Sequence, residues 1–423
     1  MTFKLFLLWS FVLLGRPQDL LPFLQPIRPA LLLTAVTTCG VLFSGYGQKL
    51  SATLSLPETK RYLLFFFIML VGIPFAYHRR VAFDTSILGY LPNVLFYLIL
   101  VSLIDSLKKL KSLVWIICVS TFVYSFFGYV YGDSTSGRFW IYGSMFDPND
   151  VAYVLISTLP LCLFYLYYPE GAFKKLLCVI TICSSIAVIL LTGSRGGITG
   201  LVTVFTVMLF KKKGGIKTSH KVLLLAIAVG AYFVLGSRIN VERYRTLTDI
   251  ESDYNITDEF GRTQIWTHGI AMALEHPITG VGAGCFNFAL GNRRERLGLL
   301  PKWQAPHNSF VQVAAETGLV GFVVFLSITR RSLVAFFRTR KIRPDTDEGH
   351  QIMTLGGLMY LAFVGHLVTG FFLTQGYSIF FTLFFAFGAV IRRLQLDLTD
   401  SNEVSGKAQN GSKGRSIDLI TKG

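Results

Sequence analysis

Charge is what this chain lacks most. Asp, Glu, Lys and Arg together make up 15% of its 423 residues, against about 25% in an ordinary soluble domain. A water-soluble fold of this length is thereby excluded, because too few charged groups remain to solvate its surface. Cysteine is equally sparse. Of six, Cys39, Cys118, Cys162, Cys178 and Cys183 lie in apolar stretches, and Cys285 falls in a polar segment with no loop partner. Neither a disulfide framework nor a metal-ligand spacing follows from that set. The glycine-rich TGVGAG at 279–284 is no dinucleotide fingerprint, since no strand precedes it and no acidic residue follows at the needed distance. Internal repeats, a Ser-His-Asp pattern and paired catalytic carboxylates are missing as well.

What replaces charge is hydrocarbon. Hydrophobic residues reach 52% and aromatics 14%, with 37 Phe, and the mean hydropathy is +0.53. Runs such as LLFFF at 63–67 and FFTLFF at 380–385 call for a bilayer as solvent. The expected fold is an all-α integral membrane protein. A spanning helix needs roughly 20 apolar residues, and about twelve runs approach that. The first six centre on 3–14, 29–45, 62–78, 88–105, 112–131 and 151–168. The rest centre on 174–192, 197–210, 221–236, 310–329, 352–373 and 377–391. The first run follows Lys4 and is short enough for a signal segment, but Gly15-Arg16-Pro17 offers no small-residue cleavage site, so it counts as a span.

The formal charge of +16 raises nucleic acid as a partner. Its cations, however, sit in short clusters between apolar runs, where they fix membrane topology, and are not interleaved with aromatics for base stacking. No nucleic acid is expected. With a cytoplasmic N-terminus, 26 of the 40 Lys and Arg fall on the inner side. Seventeen of the eighteen lysines are among them, whereas the outer cations are thirteen arginines and Lys302. Arginine grips phosphate and carboxylate with a planar bidentate fork that lysine lacks; the same set also reads as plain loop solvation. The organisation expected is membrane helices over 1–236, one large outer loop over 237–309, further membrane helices over 310–396, and a polar, disordered cytoplasmic tail over 397–423. Both termini are then cytoplasmic.

A loop of some 70 residues far exceeds the usual connection of about 4–6, so the segment 237–309 is either functional or disordered. Its recurring apolar and helix-start signals favour order, with a helix over Phe260–Leu274 that stops at His276-Pro277. Three places in and beside it carry candidate chemistry. Gly193-Ser194-Arg195-Gly196-Gly197 puts a cation at membrane depth, where charge is costly and marks function by default, among glycines that let backbone amides approach an anion. An arginine snorkelling to headgroups would look the same. Gly261-Arg262, with Trp266, opens the loop helix, where an anion would meet the helix dipole; a solvated arginine is the plainer alternative. Pro306-His307-Asn308-Ser309 supplies a histidine able to take a proton near neutral pH, while Asn308 is equally suited to cap the next helix. His268 and His276 lack metal-ligand partners at suitable spacing, His366 and Glu316 suit pairing between helices, and Asp147 and Asp150 read as turn and cap residues.

These motifs resemble a known set. FDPND at 146–150, TGSRGG at 192–197, GRTQIW at 261–266 with HPITGVGAGCF at 276–286, and PHNSFVQVAAETGLVG at 306–321 follow one another around a single outer loop. In this order and placement the chain resembles the O-antigen ligase and polymerase superfamily of bacterial envelope glycan assembly, over residues 146–325. The resemblance implies a metal-independent glycosyltransferase of the bacterial inner membrane, without cofactor, similar to the all-helical GT-C-type membrane enzymes and acting at the periplasmic face. The donor would be a glycan on undecaprenyl diphosphate, and the acceptor a lipid A-core or another glycan, among membrane lipids. Arg195 and Arg262 would hold the diphosphate, and His307 would orient or deprotonate the acceptor hydroxyl. Gly193, Ser194, Gly196, Trp266 and Asn308 would line the substrate. Arg293 and Arg294, beside Arg296, would meet an anionic acceptor or simply form a solvated basic helix. Ligase, polymerase and protein O-glycosylation share this chemistry, and a lipid-linked glycan transporter would need a similar pocket.

Overall fold

The computed structural model describes residues 1–135, 138–140, 147–210, 218–239, 244, 258, 260–342 and 346–417. It is an all-α membrane protein: helices form wherever the apolar runs predict them. The principal helices of the first half are α1 (Thr2–Gly15), α2 (Pro29–Phe43), α3 (Gly47–Ser55), α4 (Pro57–Gly72), α5 (Leu91–Leu103), α6 (Leu107–Phe122), α7 (Pro148–Cys162) and α8 (Ala172–Leu191). Then follow α9 (Arg195–Phe210), α10 (Thr218–Leu235), α11 (Arg262–Glu275), α12 (Phe286–Arg296), α13 (Ser309–Arg338), α14 (Asp347–Gly370) and α15 (Ile379–Ile417). One small hairpin departs from the helical pattern, β1 (Asp133–Thr135) pairing antiparallel with β2 (Arg138–Trp140).

Among the described residues, seven helices are long and apolar enough to cross a membrane, against the twelve spans expected. The difference lies in length rather than position. The runs at 3–14 and 197–210 become helices of 14 and 16 residues, at about 1.5 Å per residue too short for a hydrocarbon layer of about 30 Å. The run at 29–45 is half of a pair, α2 and α3, bent by 102°; counted as one span it would make an eighth. Pro29 and Pro57, each opening a helix, punctuate this region because proline lacks the N–H that a helix interior needs. The last helix, α15, runs on to Ile417, into the stretch 397–423 expected to be disordered; 418–423 lie outside the described residues, as does most of 240–257.

Packing between helices is dominated by aromatic rings. Tyr62 and Tyr97 stack with centroids 4.3 Å apart, and Phe363 stacks on Phe384 at 4.8 Å. His366, fully buried, pairs with neighbouring helices as its position suggested: Ser157 Oγ lies 2.9 Å from its Nδ1 and Tyr153 Oη 3.3 Å from its Nε2. Three cysteines that show no common spacing in the sequence, Cys118, Cys162 and Cys178, come together where α6, α7 and α8 meet, with sulfurs within 4.8 Å of one another.

The segment expected to form the outer loop folds into helices and turns over its described residues 260–308. Its helix α11 covers Arg262–Glu275, close to the stretch expected. One side, with Ile265, Gly269, Met272 and Ala273, is buried, while Ile270 and Leu274 stand exposed one turn apart. The glycine-rich turn then docks into a break in α13. Gly318 there has φ 70° and ψ 179°, a backbone region open essentially to glycine alone. Carbonyls that the break frees are taken up by the turn, Val281 N donating to Ala315 O at 2.9 Å and Gly282 N to Glu316 O at 3.1 Å. The Glu316 carboxylate, 3% exposed, accepts from Gly284 N at 2.8 Å and from Phe286 N at 3.3 Å. It thus caps α12 from a different helix, and its role here is architectural.

Candidate functional site

The turn between α8 and α9 is built from its own sequence. Gly193 takes φ 61°, a left-handed conformation that ends α8 without side-chain strain. Ser194 follows, buried, and its Oγ accepts from Gly197 N at 3.1 Å, the usual way a serine starts a helix. Gly196 lies so close to the loop after α14 that an added Cβ would sit 3.1 Å from Phe372. Arg195 is therefore delivered at the first residue of α9, facing a cavity.

That cavity, about 190 Å³, is lined by Ser194, Arg195, Gly196, Arg262, His307, Asn149 and Arg138, with Thr369 and Phe372 on the side of α14. Three segments more than forty residues apart in sequence thus place Arg195, Arg262 and His307 around one space. No carboxylate appears in its lining among the described residues. The placement follows from helix ends. Asn149 belongs to the first turn of α7, Arg195 and Gly196 open α9, Arg262 opens α11, and His307 stands two residues before α13. Four helix N-termini converge, each carrying roughly half a positive charge, and this is what an anion site requires. The C-terminal end of α14 also approaches; its neighbouring carbonyl, Phe372 O, accepts from Arg262 Nη1 at 3.4 Å.

His307 is held firmly. Its backbone has φ 47°, unusual for a residue with a side chain and the sort of strain that collects at functional sites. Its N–H donates to Thr374 Oγ1 at 2.9 Å. Burial, and then the Arg262 guanidinium, push its pKa below the ordinary histidine value, with Asp147 opposing. The shift favours the neutral imidazole, and a neutral imidazole is a proton acceptor.

The remaining sequence candidates fall around the cavity or away from it. Trp266 buttresses it from α11: its Nε1 donates to Pro306 O at 2.8 Å, and its ring meets Phe371 edge-on at 5.3 Å. Asn308 is buried and caps α13, its Oδ1 accepting from Phe310 N at 2.9 Å and Val311 N at 3.1 Å; its side chain is spent on the helix, as the alternative reading had it. Arg293 pairs with Glu275 on α11. Arg294 is buried, donates to Leu300 O at 2.8 Å and stacks over Phe260 at 4.7 Å. Neither of these two lines the cavity. Five lining residues escaped the sequence reading as site candidates: Arg138 and Asn149, and Thr369, Phe372 and Leu373 at the end of α14. Arg138 reaches in from the β hairpin, donating to Asn149 Oδ1 at 3.0 Å and to Thr192 O at 3.2 Å. The signal for Asn149 was present in FDPND, where Asp147 caps α7 by accepting from Asn149 N at 2.7 Å and Asp150 N at 3.1 Å; for Arg138 the sequence offered only its place among the outer arginines.

Residues 179–326 match the protein family described as O-Antigen ligase, a stretch that runs from α8 past the break in α13 and contains Arg195, Arg262 and His307. The chain is also similar to the exopolysaccharide production protein ExoQ of Rhizobium meliloti (strain 1021), with 30% identity over 138 residues, 30% of this chain. The match likewise spans only 30% of that relative's length. The motifs at 192–197, 261–286 and 306–321 fall inside that matched stretch, and FDPND at 146–150 lies before it.

Proposed function

We propose that this chain, a multi-pass membrane protein of the O-antigen ligase and polymerase superfamily, transfers a glycan from undecaprenyl diphosphate to an acceptor hydroxyl at the periplasmic face of a bacterial inner membrane. The observation that carries this reading is the convergence of Arg138, Arg195 and Arg262 with four helix N-termini on a cavity that also holds His307. A diphosphate carries the charge this lining complements. Bidentate guanidinium contacts hold its oxygens, and they grip harder as negative charge builds on the leaving oxygen in the transition state.

In the step itself the acceptor oxygen attacks the anomeric carbon of the donor glycan. The bond from that carbon to the diphosphate oxygen breaks, and its electron pair leaves with the diphosphate. The hydroxyl proton passes to the neutral imidazole of His307, which returns it to water. A diphosphate is a good leaving group without protonation, so no second acid is needed. Three arginines supply the positive charge that a divalent cation provides elsewhere, so the reaction is proposed to be metal-independent and to survive chelation. A GT-C-type architecture is part of this proposal; the described helices supply seven spans, or eight if the bent pair α2 and α3 counts as one.

Transfer of a finished glycan to a lipid A-core is the first form of this reading. The relative named for exopolysaccharide production favours a second, polymerisation of lipid-linked repeat units. The test uses a deletion strain whose envelope glycans and lipid-linked intermediates are resolved together. Long polymer stranded on the carrier lipid supports the ligase form; a core capped by one repeat unit, or lost secreted polysaccharide, supports the polymerase form. With all glycan pools unchanged, the proposed transferase activity would be wrong.

A further inference from the structure

At the other end of α13 lies a second basic cavity. Arg195 and His307 sit near the start of that helix, before its break at Gly318, whereas Arg330, Arg331 and Arg338 lie in its last turns, well beyond the break. Here α13 meets the beginning of α4 and the exposed part of α15 around a cavity of about 340 Å³, lined by these three arginines together with Arg392 and Glu58. Glu58 is nearly buried and is shared: Arg331 Nη2 reaches its Oε1 at 2.5 Å and Nε at 3.1 Å, and Arg392 bonds the same oxygen. One carboxylate thus balances one of four guanidiniums. The apolar flank is formed by Val334, Ala335 and Leu396.

We propose that this cavity binds a phosphate-bearing anion, held by Arg330 and Arg338 at its mouth and by Arg331 and Arg392 at its floor. Cations that serve only to orient a membrane protein have no need to converge, and lysine serves that purpose as well. Among the described residues, four of one type close on a single space with an excess of three positive charges, and the type is the one whose planar fork matches phosphate. Glu58 fixes the two inner guanidiniums, so a ligand meets donors already in place. An apolar wall beside a basic mouth at a helix end is the form that anionic phospholipid headgroups recognise; a soluble phosphate compound presents the same chemistry. The site is separate from the glycan chemistry, and its test reads binding only.

The full chain is reconstituted in nanodiscs in two arms. In one, the discs contain cardiolipin among phosphatidylcholine, and the lipids retained by the protein are counted by native mass spectrometry. In the other, discs of phosphatidylcholine alone are titrated with inorganic pyrophosphate. The variant Arg330→Gln/Arg338→Gln leaves both partners of Glu58 intact and so preserves the fold. Lys4→Gln/Lys175→Gln removes the same charge elsewhere on the exposed surface. The expected result is at least a tenfold loss of binding in the arginine variant and none in the lysine variant; the arm that shows it identifies lipid or soluble phosphate as the ligand. An equal loss in both variants would reduce the effect to general surface attraction and overturn the proposal. So would wild-type protein that retains no anion in either arm.

Discussion

The three cations of the active cavity are all arginine, and the choice has a measurable consequence. A lysine placed at residue 195 keeps the charge but loses the second donor of the fork, and charge-assisted hydrogen bonds contribute about 1.5–3 kcal/mol each. Arg195→Lys should therefore lower the transfer rate roughly 10- to 100-fold at normal protein level in the membrane; an unchanged rate in a reconstituted assay would show that bidentate contact plays no part. His307 makes a sharper prediction. Burial and Arg262 depress its pKa; with the imidazole as the proposed base, activity should fall only on the acid side, as pH drops through that depressed value. Arg262→Gln removes one cause of the depression, so the acid limb of its residual activity should move to higher pH. A limb that stays in place would detach His307 from the proton transfer. Arg195, Arg262 and His307 could be picked out from sequence because each stands in a short polar motif at the edge of a span or at a helix start. Arg138 could not, since only the folding of a hairpin brings it to Asn149. Asn308 and Arg294 show the reverse: each is polar and close to the motifs, yet one is committed to a helix cap and the other to a backbone carbonyl and a ring.

At the scale of elements, the break in α13 positions the site. It splits a helix that hydropathy reads as one continuous run, and the glycine turn of the outer segment fits into the gap. Any side chain at residue 318 meets two penalties. The backbone there costs about 1–3 kcal/mol for a non-glycine residue, and a Cβ would stand 2.6 Å from the Pro277 carbonyl oxygen. Gly318→Ala should thus destabilise the protein by about 3 kcal/mol or more, seen as a lower Tm in detergent, and should lower transfer because His307 and Arg262 lose their common frame. A Tm equal to that of the unaltered protein would mean that the turn and helix are not coupled in this way. The positions of the membrane helices were legible because each apolar run is long compared with its polar breaks. Their capacity to span was not, because helix ends depend on proline, glycine and tertiary contacts that hydropathy averages away; the run at 29–45 reads as a whole span, yet its helix ends at Phe43 and the chain bends by 102° into α3.

The whole molecule is polarised along α13. One end gathers Arg195, Arg262 and His307; the other gathers Arg330, Arg331, Arg338 and Arg392. Cations alone leave the sense of that axis open, since both ends are basic. Lysine decides it: seventeen of eighteen fall on the side of the second cavity if the chain alternates at every expected span, and cytoplasmic segments are the ones enriched in such residues. The candidate active cavity should then face away from the cytoplasm, where a glycan already loaded on its carrier lipid is presented. An epitope inserted after Gly298, in an exposed bend of the outer segment, should be labelled by antibody in spheroplasts, and a second epitope after Gly423 only once the membrane is permeabilised. The helices that fail to span by themselves all precede Gly298, whereas α13, α14 and α15 after it are each long enough to cross, so an odd number of short helices lying in the interface would keep the two epitopes on opposite sides but invert both relative to the N-terminus. Labelling of both in intact spheroplasts would keep the outward site and move the C-terminus. Labelling of the C-terminal epitope alone would invert the molecule, put Arg195, Arg262 and His307 in the cytoplasm, and remove the basis for transfer at the periplasmic face.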